Sequence, residues 1–251
     1  MQIKIKELTL TNIFELSQFI KERCKGLSSL EEIAQELMNT FCQVFSTDNG
    51  KSAFVLSRFF KSCIYEELPD DIKIYIQHQE GKEEVSAQNR YLTLLGTTGD
   101  LEEWKCRKTS KGHQVLPLYD YQTTNNIPML SALINQIGFD ISEAVKHDKN
   151  IIINKINKEE YDFGIFCVEE ARGSKLIPKQ AEFVEPFGIK SVIGFGGVYK
   201  TGNIYAIIVF SREKISSEKA KMFLSLNPSV KLTTLRHEMT GNIFKSGGNY
   251  P

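Results

Sequence analysis

Cysteine is scarce in this 251-residue chain, and the few thiols lie far apart. An odd number of cysteines without a Cys-x-x-Cys pair argues against a disulfide framework and against a structural zinc site. We therefore expect reduced thiols in a reducing compartment, at Cys24, Cys42, Cys63, Cys106 and Cys167.

Net charge and long apolar runs are also missing. Lysine plus arginine and aspartate plus glutamate each total 31, so no overall field attracts nucleic acid or an anionic membrane surface. No stretch approaches the roughly 18 uncharged apolar residues of a membrane helix, and the N-terminus lacks the apolar run of a secretory signal. We expect a cytoplasmic protein that has neither nucleic acid nor a membrane as a partner.

The sequence shows no catalytic motif. No Ser-His-Asp set, paired-carboxylate motif or cluster with metal-ligand spacing is visible. Gly96–Asp100 and Gly194–Gly197 are rich in glycine, but neither leads into the Gly-Lys-Ser/Thr sequence of a phosphate loop. These absences favour a binding protein over an enzyme, and they leave any cofactor unknown.

Apolar residues make up 41% of the chain and charged residues 25%, which is typical of a protein with a packed core. Two helices are predicted near the N-terminus. The first is capped by Asn12 with Glu15 three residues on, and the second by Ser28 with Glu31 in the matching position. The second helix carries an apolar stripe from Leu30 to Phe45.

The middle of the chain predicts strands and one long irregular segment. Ser52–Ile64 reads as a strand, and the alternation over Ile72–Gln77 predicts its hairpin partner. The apolar stretch Tyr91–Leu95 ends at the glycines that follow it. From Leu101 to Tyr121 the sequence has no clear period, and such long segments commonly serve as lids or binding segments. Pro128 suits the first turn of a helix.

The last hundred residues carry the clearest pattern. Asp162–Val168 is apolar on both faces, as expected for a central strand. Between Gly188 and Leu235, two apolar strands meet at the turn Thr201–Asn203. A helix then begins at Ser216, and the pair Asn227-Pro228 ends that helix and begins another.

This closing pattern resembles the GAF domain, a relative of PAS domains in bacterial signalling proteins. GAF domains commonly carry Ser-Val-Leu, a turn, an apolar strand and a helix rich in Glu and Leu. Ser191-Val192-Ile193 fits the start of that pattern, Gly202 the turn, Ala206–Phe210 the closing strand and Ser216 the helix. The resemblance in element order covers about Ser28 to Arg236.

The resemblance implies an α+β fold, an α/β sandwich with a central antiparallel sheet of about six strands and helices on both faces. We expect an N-terminal strand and helix extension at 1–27, a GAF-like sensory domain at 28–236, and a flexible C-terminal tail at 237–251. A ligand pocket would lie between the sheet and the irregular segment Leu101–Tyr121.

The residues expected to line this pocket combine aromatic rings with polar groups. Trp104 offers a stacking surface, His113 a group that titrates near neutral pH, and Arg172 a fork of donors for an anionic ligand. A plain core position for Trp104 and a surface ion pair between Arg172 and Glu169 remain open alternatives. The full predicted set is Trp104, Cys106, His113, Tyr119, Phe166, Glu169, Arg172, Ser191 and Phe195.

The leading hypothesis is a non-catalytic sensory domain that binds a small molecule. Occupancy would pass outward through the terminal helices Asn12–Lys25 and Pro228–Met239, by a homodimer or by a separate output protein. Some GAF-like proteins reduce free methionine sulfoxide, so a thiol-dependent redox enzyme using Cys106 and Cys167 is the alternative. A pure protein-interaction domain is the third possibility.

Overall fold

A six-stranded antiparallel sheet forms the centre of the protein. The computed structural model describes residues 1–80, 85–146 and 164–245. The strands lie in the order β5-β4-β3-β8-β7-β6, which confirms the predicted fold class. They are β3 (Phe54–Ile64), β4 (Arg90–Gly99), β5 (Val115–Pro117), β6 (Phe166–Val168), β7 (Ser191–Val198) and β8 (Ile204–Ser211), and a separate parallel pair is formed by β1 (Ile3–Lys4) and β2 (Phe45–Ser46).

Four helices cover one face of the sheet. They are α1 (Leu10–Arg23), α2 (Leu30–Val44), α7 (Ser217–Met222) and α8 (Asn227–Thr240). The apolar stripe predicted for α2 is buried there, and a 3-10 turn at Phe223–Leu226 joins α7 to α8. This face holds the larger core cluster, which includes Phe41, Phe59 and Phe195. Its burial supplies a large share of the free energy of folding.

The opposite face is covered by shorter elements. They are α4 (Tyr121–Asn125), α5 (Pro128–Gln136), α6 (Ile141–Lys146), a 3-10 turn at Glu102–Trp104 and a π-helical turn at Gln180–Val184. Side chains from α5, α6, the two turns and strands β3, β4 and β8 contribute to the second core cluster. Helices therefore lie on both faces of the sheet, as predicted.

The closing hairpin has the predicted form. β7 and β8 pair in register from Ser191↔Ser211 to Val198↔Ile204. Gly202 has φ 85°, a conformation that glycine adopts without the steric cost of a side chain. Ser216 caps α7 by accepting a hydrogen bond from the Lys219 backbone, as its position in the sequence predicted.

Both N-terminal helix caps lie at other residues than predicted. Thr9, not Asn12, caps α1, and Asn12 is the third helical residue, whose side chain accepts from the Thr9 backbone. Ser29, not Ser28, caps α2, while the Ser28 backbone and hydroxyl donate to Glu32. In each case the neighbouring polar residue also fits a capping-box pattern, so spacing alone did not select between them.

The segment Ile72–Gln77 is helical, so its prediction as a strand is wrong. It lies within α3 (Asp70–Glu80), which follows a 3-10 turn at Tyr65–Glu67. Ile72 and Ile76, four residues apart, pack against Tyr91, whereas Ile74 is exposed. The sequence Ile-x-Ile-x-Ile fits both periods, and burial of one helical face decides between them.

Two strand predictions also need correction. β4 runs through Gly96 to Gly99, although the glycines were expected to end it. A side-chain Cβ at Gly96 would lie 2.4 Å from the Ala34 carbonyl oxygen, so glycine here permits α2 to approach the strand. β6 is an edge strand that pairs with β7, not a central strand, and residues 162 and 163 of the predicted strand lie outside the described residues.

The C-terminal segment packs against α2. Helix α8 runs past residue 236 to Thr240, and Gly241 follows it in a left-handed conformation. The Leu30 backbone then donates to the Asn242 carbonyl at 2.9 Å and that of Glu31 to the Ile243 carbonyl at 2.8 Å. The expected division into domains stays a prediction, and the expected frayed end at 246–249 lies outside the described residues.

Candidate functional site

A cleft of about 390 Å³ lies at the edge of the sheet beside β5. Helix α3 contributes Tyr75, Ile76 and Gln79 to its wall. The other side is formed by Gly112 and His113 of the irregular segment, by Val115 and Pro117 of β5, and by Lys179. We call residues 101–121 the lid segment. The volume of the cleft falls within the range of small-molecule sites.

Arg58 lies beneath the lid segment in an unusual environment. It is 6% exposed, and its Nη2 donates to the Ser110 hydroxyl at 3.0 Å. Within the described part of the chain, Nε has no hydrogen-bond partner and no carboxylate pairs with the guanidinium. Burial lowers the pKa of Arg58 to about 10, so the group remains a cation at neutral pH. A buried cation without a paired anion is costly to maintain.

His113 stands at the rim of the cleft, where its side chain is exposed. The protein volume around it removes part of its hydration and, together with the positive charges of Arg58 and Lys179, lowers its pKa below the usual value. Its backbone has φ 55°, and Gly112 before it has φ 76°. The lowered pKa leaves the imidazole uncharged at neutral pH, and the backbone of this turn adopts a left-handed conformation that most residues avoid.

Arg107, in the first half of the lid segment, contacts three parts of the fold that are distant in sequence. Arg107 Nε donates to Glu31 Oε1 at 2.6 Å, and its Nη1 donates to Asp71 at 2.8 Å. Its guanidinium also lies 5.7 Å from the centre of the Phe244 ring. Arg107 thus joins the start of α2, the start of α3 and the segment that follows α8.

Charged residues are also buried on the face that α8 covers. Lys61 Nζ lies 3.1 Å from Glu238 Oε2, and both side chains are 1% exposed. Arg90 donates to Ser62 and to Asn203 nearby, and burial lowers its pKa to about 10. We call Lys61, Arg90 and Glu238 the buried cluster. It fixes α8 to the centre of the sheet.

The nine predicted site residues lie in several parts of the fold, and His113 is the one that lines the cleft. Trp104 is buried, with its ring centre 4.8 Å from that of Phe187 and 5.7 Å from that of Phe183. Phe166 is also in the core on the lid side. Phe195 packs on the opposite face, 6.3 Å from the ring of Phe41.

The polar members of the predicted set make structural contacts. Glu169 accepts hydrogen bonds from the backbone and hydroxyl of Ser217 at 2.8 and 2.5 Å, which supports the start of α7. The Ser191 hydroxyl donates to the Glu169 carbonyl at 2.8 Å. Arg172 is exposed and pairs with Glu185 at 3.6 Å, not with Glu169.

Cys106 and Tyr119 belong to the lid segment but not to the cleft wall. Cys106 is half-buried, and its carbonyl accepts from the Ser110 backbone at 3.1 Å. Tyr119 packs edge-on against Tyr91 at 5.4 Å. Burial raises the pKa of the Cys167 thiol, whereas a nucleophilic cysteine needs a lowered one. That shift disfavours Cys167 as the thiol of a redox enzyme.

Sequence reasoning missed Arg58, Lys179 and Tyr75. One signal for Arg58 was present, because it interrupts the strand Phe-Val-Leu-Ser-Arg-Phe-Phe with a charge that was bound to be buried. Lys179 and Tyr75 carry no such signal, since their place at the cleft depends on how distant segments meet.

Two further features are absent from residues 1–80, 85–146 and 164–245. No group of three or more His, Cys, Asp or Glu side chains there has a geometry that fits a metal ion. In the same residues, no helix has the length and apolar character needed to span a membrane.

No protein-family model and no curated protein matches the sequence. Among solved structures, the GAF domain of a phosphoenolpyruvate-protein phosphotransferase (ptsP) from Coxiella burnetii is similar, with 8% identity, a TM-score of 0.48, and coverage of 93% of this chain and 99% of that one. The GAF domain of an Acinetobacter phosphoenolpyruvate-protein phosphotransferase is similar with 12% identity, a TM-score of 0.46, and coverage of 94% and 100%. Both of these similar structures are GAF domains.

Proposed function

We propose that this chain is a sensory domain that binds a small molecule in the cleft between α3, β5 and the lid segment. The proposal depends mainly on the environment of Arg58. A buried cation without a carboxylate partner among the described residues, next to a cleft of about 390 Å³, is typical of a site that a ligand completes.

The lid segment supplies a physical route from the cleft to the termini. His113 lines the cleft, and Arg107, six residues earlier, holds Glu31, Asp71 and the ring of Phe244. A ligand that shifts the lid segment would change these contacts. The proposed output is therefore a change in the segment that follows α8, read by a partner protein or by a second copy of the chain.

A thermal-shift screen of metabolites tests ligand binding. A ligand at 100 times its dissociation constant stabilises by about 2.7 kcal/mol, which for a protein of this size raises Tm by about 5 to 11 °C. In the variant Gln79→Trp, the new ring would fill the cleft rim and abolish the shift. Gln18→Trp is the matched control, because Gln18 is also an exposed helical glutamine but lies on α1.

Hydrogen exchange tests the proposed relay with any ligand that the screen identifies. Binding should alter the exchange of backbone amides at residues 241–245 as well as at the lid segment. If ligand binding alters exchange only at the cleft, the proposed relay to residues 241–245 is wrong. If no metabolite distinguishes the wild type from Gln79→Trp, the ligand-binding proposal itself fails.

Exposed apolar side chains favour protein association as the form of output. Leu232 on α8 is 72% exposed and Phe14 on α1 is 66% exposed, and Leu10 and Met239 are exposed on the same two helices. Such residues on terminal helices fit the expected homodimer or partner contact. Sedimentation velocity on the wild type and on Leu232→Glu tests this; a monomer at all concentrations for both argues against self-association.

A further inference from the structure

The chemical class of the ligand follows from the charges around the cleft, and this inference rests on the proposed function. The wall of the cleft contains the cation of Lys179 and the imidazole of His113, and none of its residues is acidic. Arg58 lies behind this wall and is joined by hydrogen bond to Ser110, two residues before Gly112. Two nitrogen-bearing side chains therefore line one side of the cleft, and a third lies buried behind that side.

The hydrogen bonding of Arg58 also indicates an anionic ligand. A guanidinium has five N–H donors, and the Arg58 Nε donor is buried and has no acceptor within the described part of the chain. Water reaches this side chain little, since it is 6% exposed. A carboxylate or phosphate oxygen would supply both the missing acceptor and the missing negative charge.

We propose that the cleft binds the anionic group of its ligand, a carboxylate or a phosphate, through Arg58 and Lys179, with His113 as a third donor. The arginine matches such oxygens with a planar fork, and the exposed lysine attracts the anion to the rim. The size of the cleft commits the proposal to a small molecule, not to an anionic polymer or a membrane surface.

Nuclear magnetic resonance of the arginine Nε–Hε groups tests this directly. The wild-type protein is titrated at constant ionic strength with sodium sulfate, inorganic phosphate and succinate, and with a neutral sugar as the control solute. The Arg58 signal should move and saturate with at least one anion. The internal control is Arg90, whose Nε is also buried and unpaired within the described residues but which faces Ser62 and Asn203; its signal should stay in place.

The variant Arg58→Gln assigns the signal and measures the contribution of the charge. Loss of a hydrogen bond to a charged group should weaken anion binding, measured by calorimetry, by at least about tenfold. If this variant does not fold, triple-resonance assignment of the wild type identifies the Arg58 signal, and the wild-type titration decides alone. An Arg58 signal that none of the three anions moves, or that drifts together with Arg90 without saturation, overturns the proposal.

Two comparisons separate this inference from the proposed function. If neutral metabolites stabilise the wild type but not Gln79→Trp, and anions leave Arg58 unmoved, ligand binding stands and the anionic class is wrong. If vesicles containing an anionic phospholipid move the Arg58 signal while free phosphate does not, the source is a lipid headgroup and the small-molecule assignment is wrong.

Discussion

The buried cluster allows a quantitative prediction of stability. Glu238 Oε1 accepts hydrogen bonds from the Thr201 hydroxyl at 2.6 Å and from the Asn203 amide at 2.8 Å, while Oε2 faces the ammonium of Lys61 at 3.1 Å. The substitution Glu238→Gln keeps a carbonyl oxygen that can accept the first two bonds. It removes the negative charge and replaces Oε2 with an amide nitrogen, which cannot accept a hydrogen bond from the Lys61 ammonium.

Removal of that charge leaves Lys61 as a buried cation, with the cation of Arg90 nearby. Breaking a buried ion pair by changing one partner costs about 3–5 kcal/mol, because the remaining charge has lost both its solvation and its partner. For a protein of this length, that loss corresponds to a fall in Tm of about 6 to 20 °C. The Lys61 ammonium still donates to the Ser62 carbonyl at 2.8 Å, so we expect a loss of stability near the lower end of this range.

Urea unfolding followed by circular dichroism measures the free energy of unfolding. The matched control is Glu170→Gln, which breaks the exposed pair Lys214–Glu170 at 3.4 Å and should change the free energy by less than about 1 kcal/mol. Both variants make the same chemical change in a glutamate, so the difference between their changes in free energy of unfolding measures the effect of burial.

A double-mutant cycle with Lys61→Met refines the test. If the ion pair is the cause, the double variant Lys61→Met with Glu238→Gln should lose clearly less than the sum of the two single losses. If the losses in free energy of unfolding of the two single variants simply add in the double variant, the ion pair is not the cause. A Glu238→Gln variant as stable as the Glu170→Gln control would also refute the reasoning from buried charge.

Three further predictions follow from other parts of the structure. Sulfate binding should be stronger at pH 5 than at pH 8. His113 faces Arg58, Lys179 and Tyr75, and a bound anion would raise its pKa, so protonation of the imidazole strengthens binding at low pH. Calorimetry should show that this pH dependence is lost in His113→Gln. Gly96→Ala should destabilise by about 1–3 kcal/mol or more in urea unfolding, because its Cβ would overlap the backbone of α2. Trp104→Ala should cost about 3–5 kcal/mol in the same assay, because it empties a packed aromatic site.

The fold was predictable where local patterns and long-range packing agree. The β7–β8 hairpin combines continuous apolar strands with a glycine turn, and Ser216 is placed where a helix cap is needed. In α3, by contrast, Ile72, Ile74 and Ile76 fit a strand and a helix equally well. The outcome there depends on Tyr91, which is distant in sequence and fixes which face is buried.

The candidate site was less predictable than the fold. Trp104 was expected to face a ligand because it is a large aromatic residue in an irregular segment, but Phe183 and Phe187 of the π-helical region pack around it. His113 was predicted from the same segment and lines the cleft, while its role in ligand binding stays a prediction. Arg58 was missed because a charge within a strand reveals its role only when the absence of a partner can be seen in three dimensions.

The position of β3 gives the two charged regions a common support. Arg58 and Lys61 are three residues apart on this strand, so their side chains project from opposite faces of the sheet. Arg58 contacts the lid segment at Ser110, while Lys61 contacts α8 at Glu238. Because β3 is paired on both sides, by β4 and by β8, it resists displacement. A ligand at Arg58 is therefore expected to move the lid segment against a fixed strand. The proposed signal would then reach the segment that follows α8 through the contact of Arg107 with Phe244, and not through the centre of the sheet.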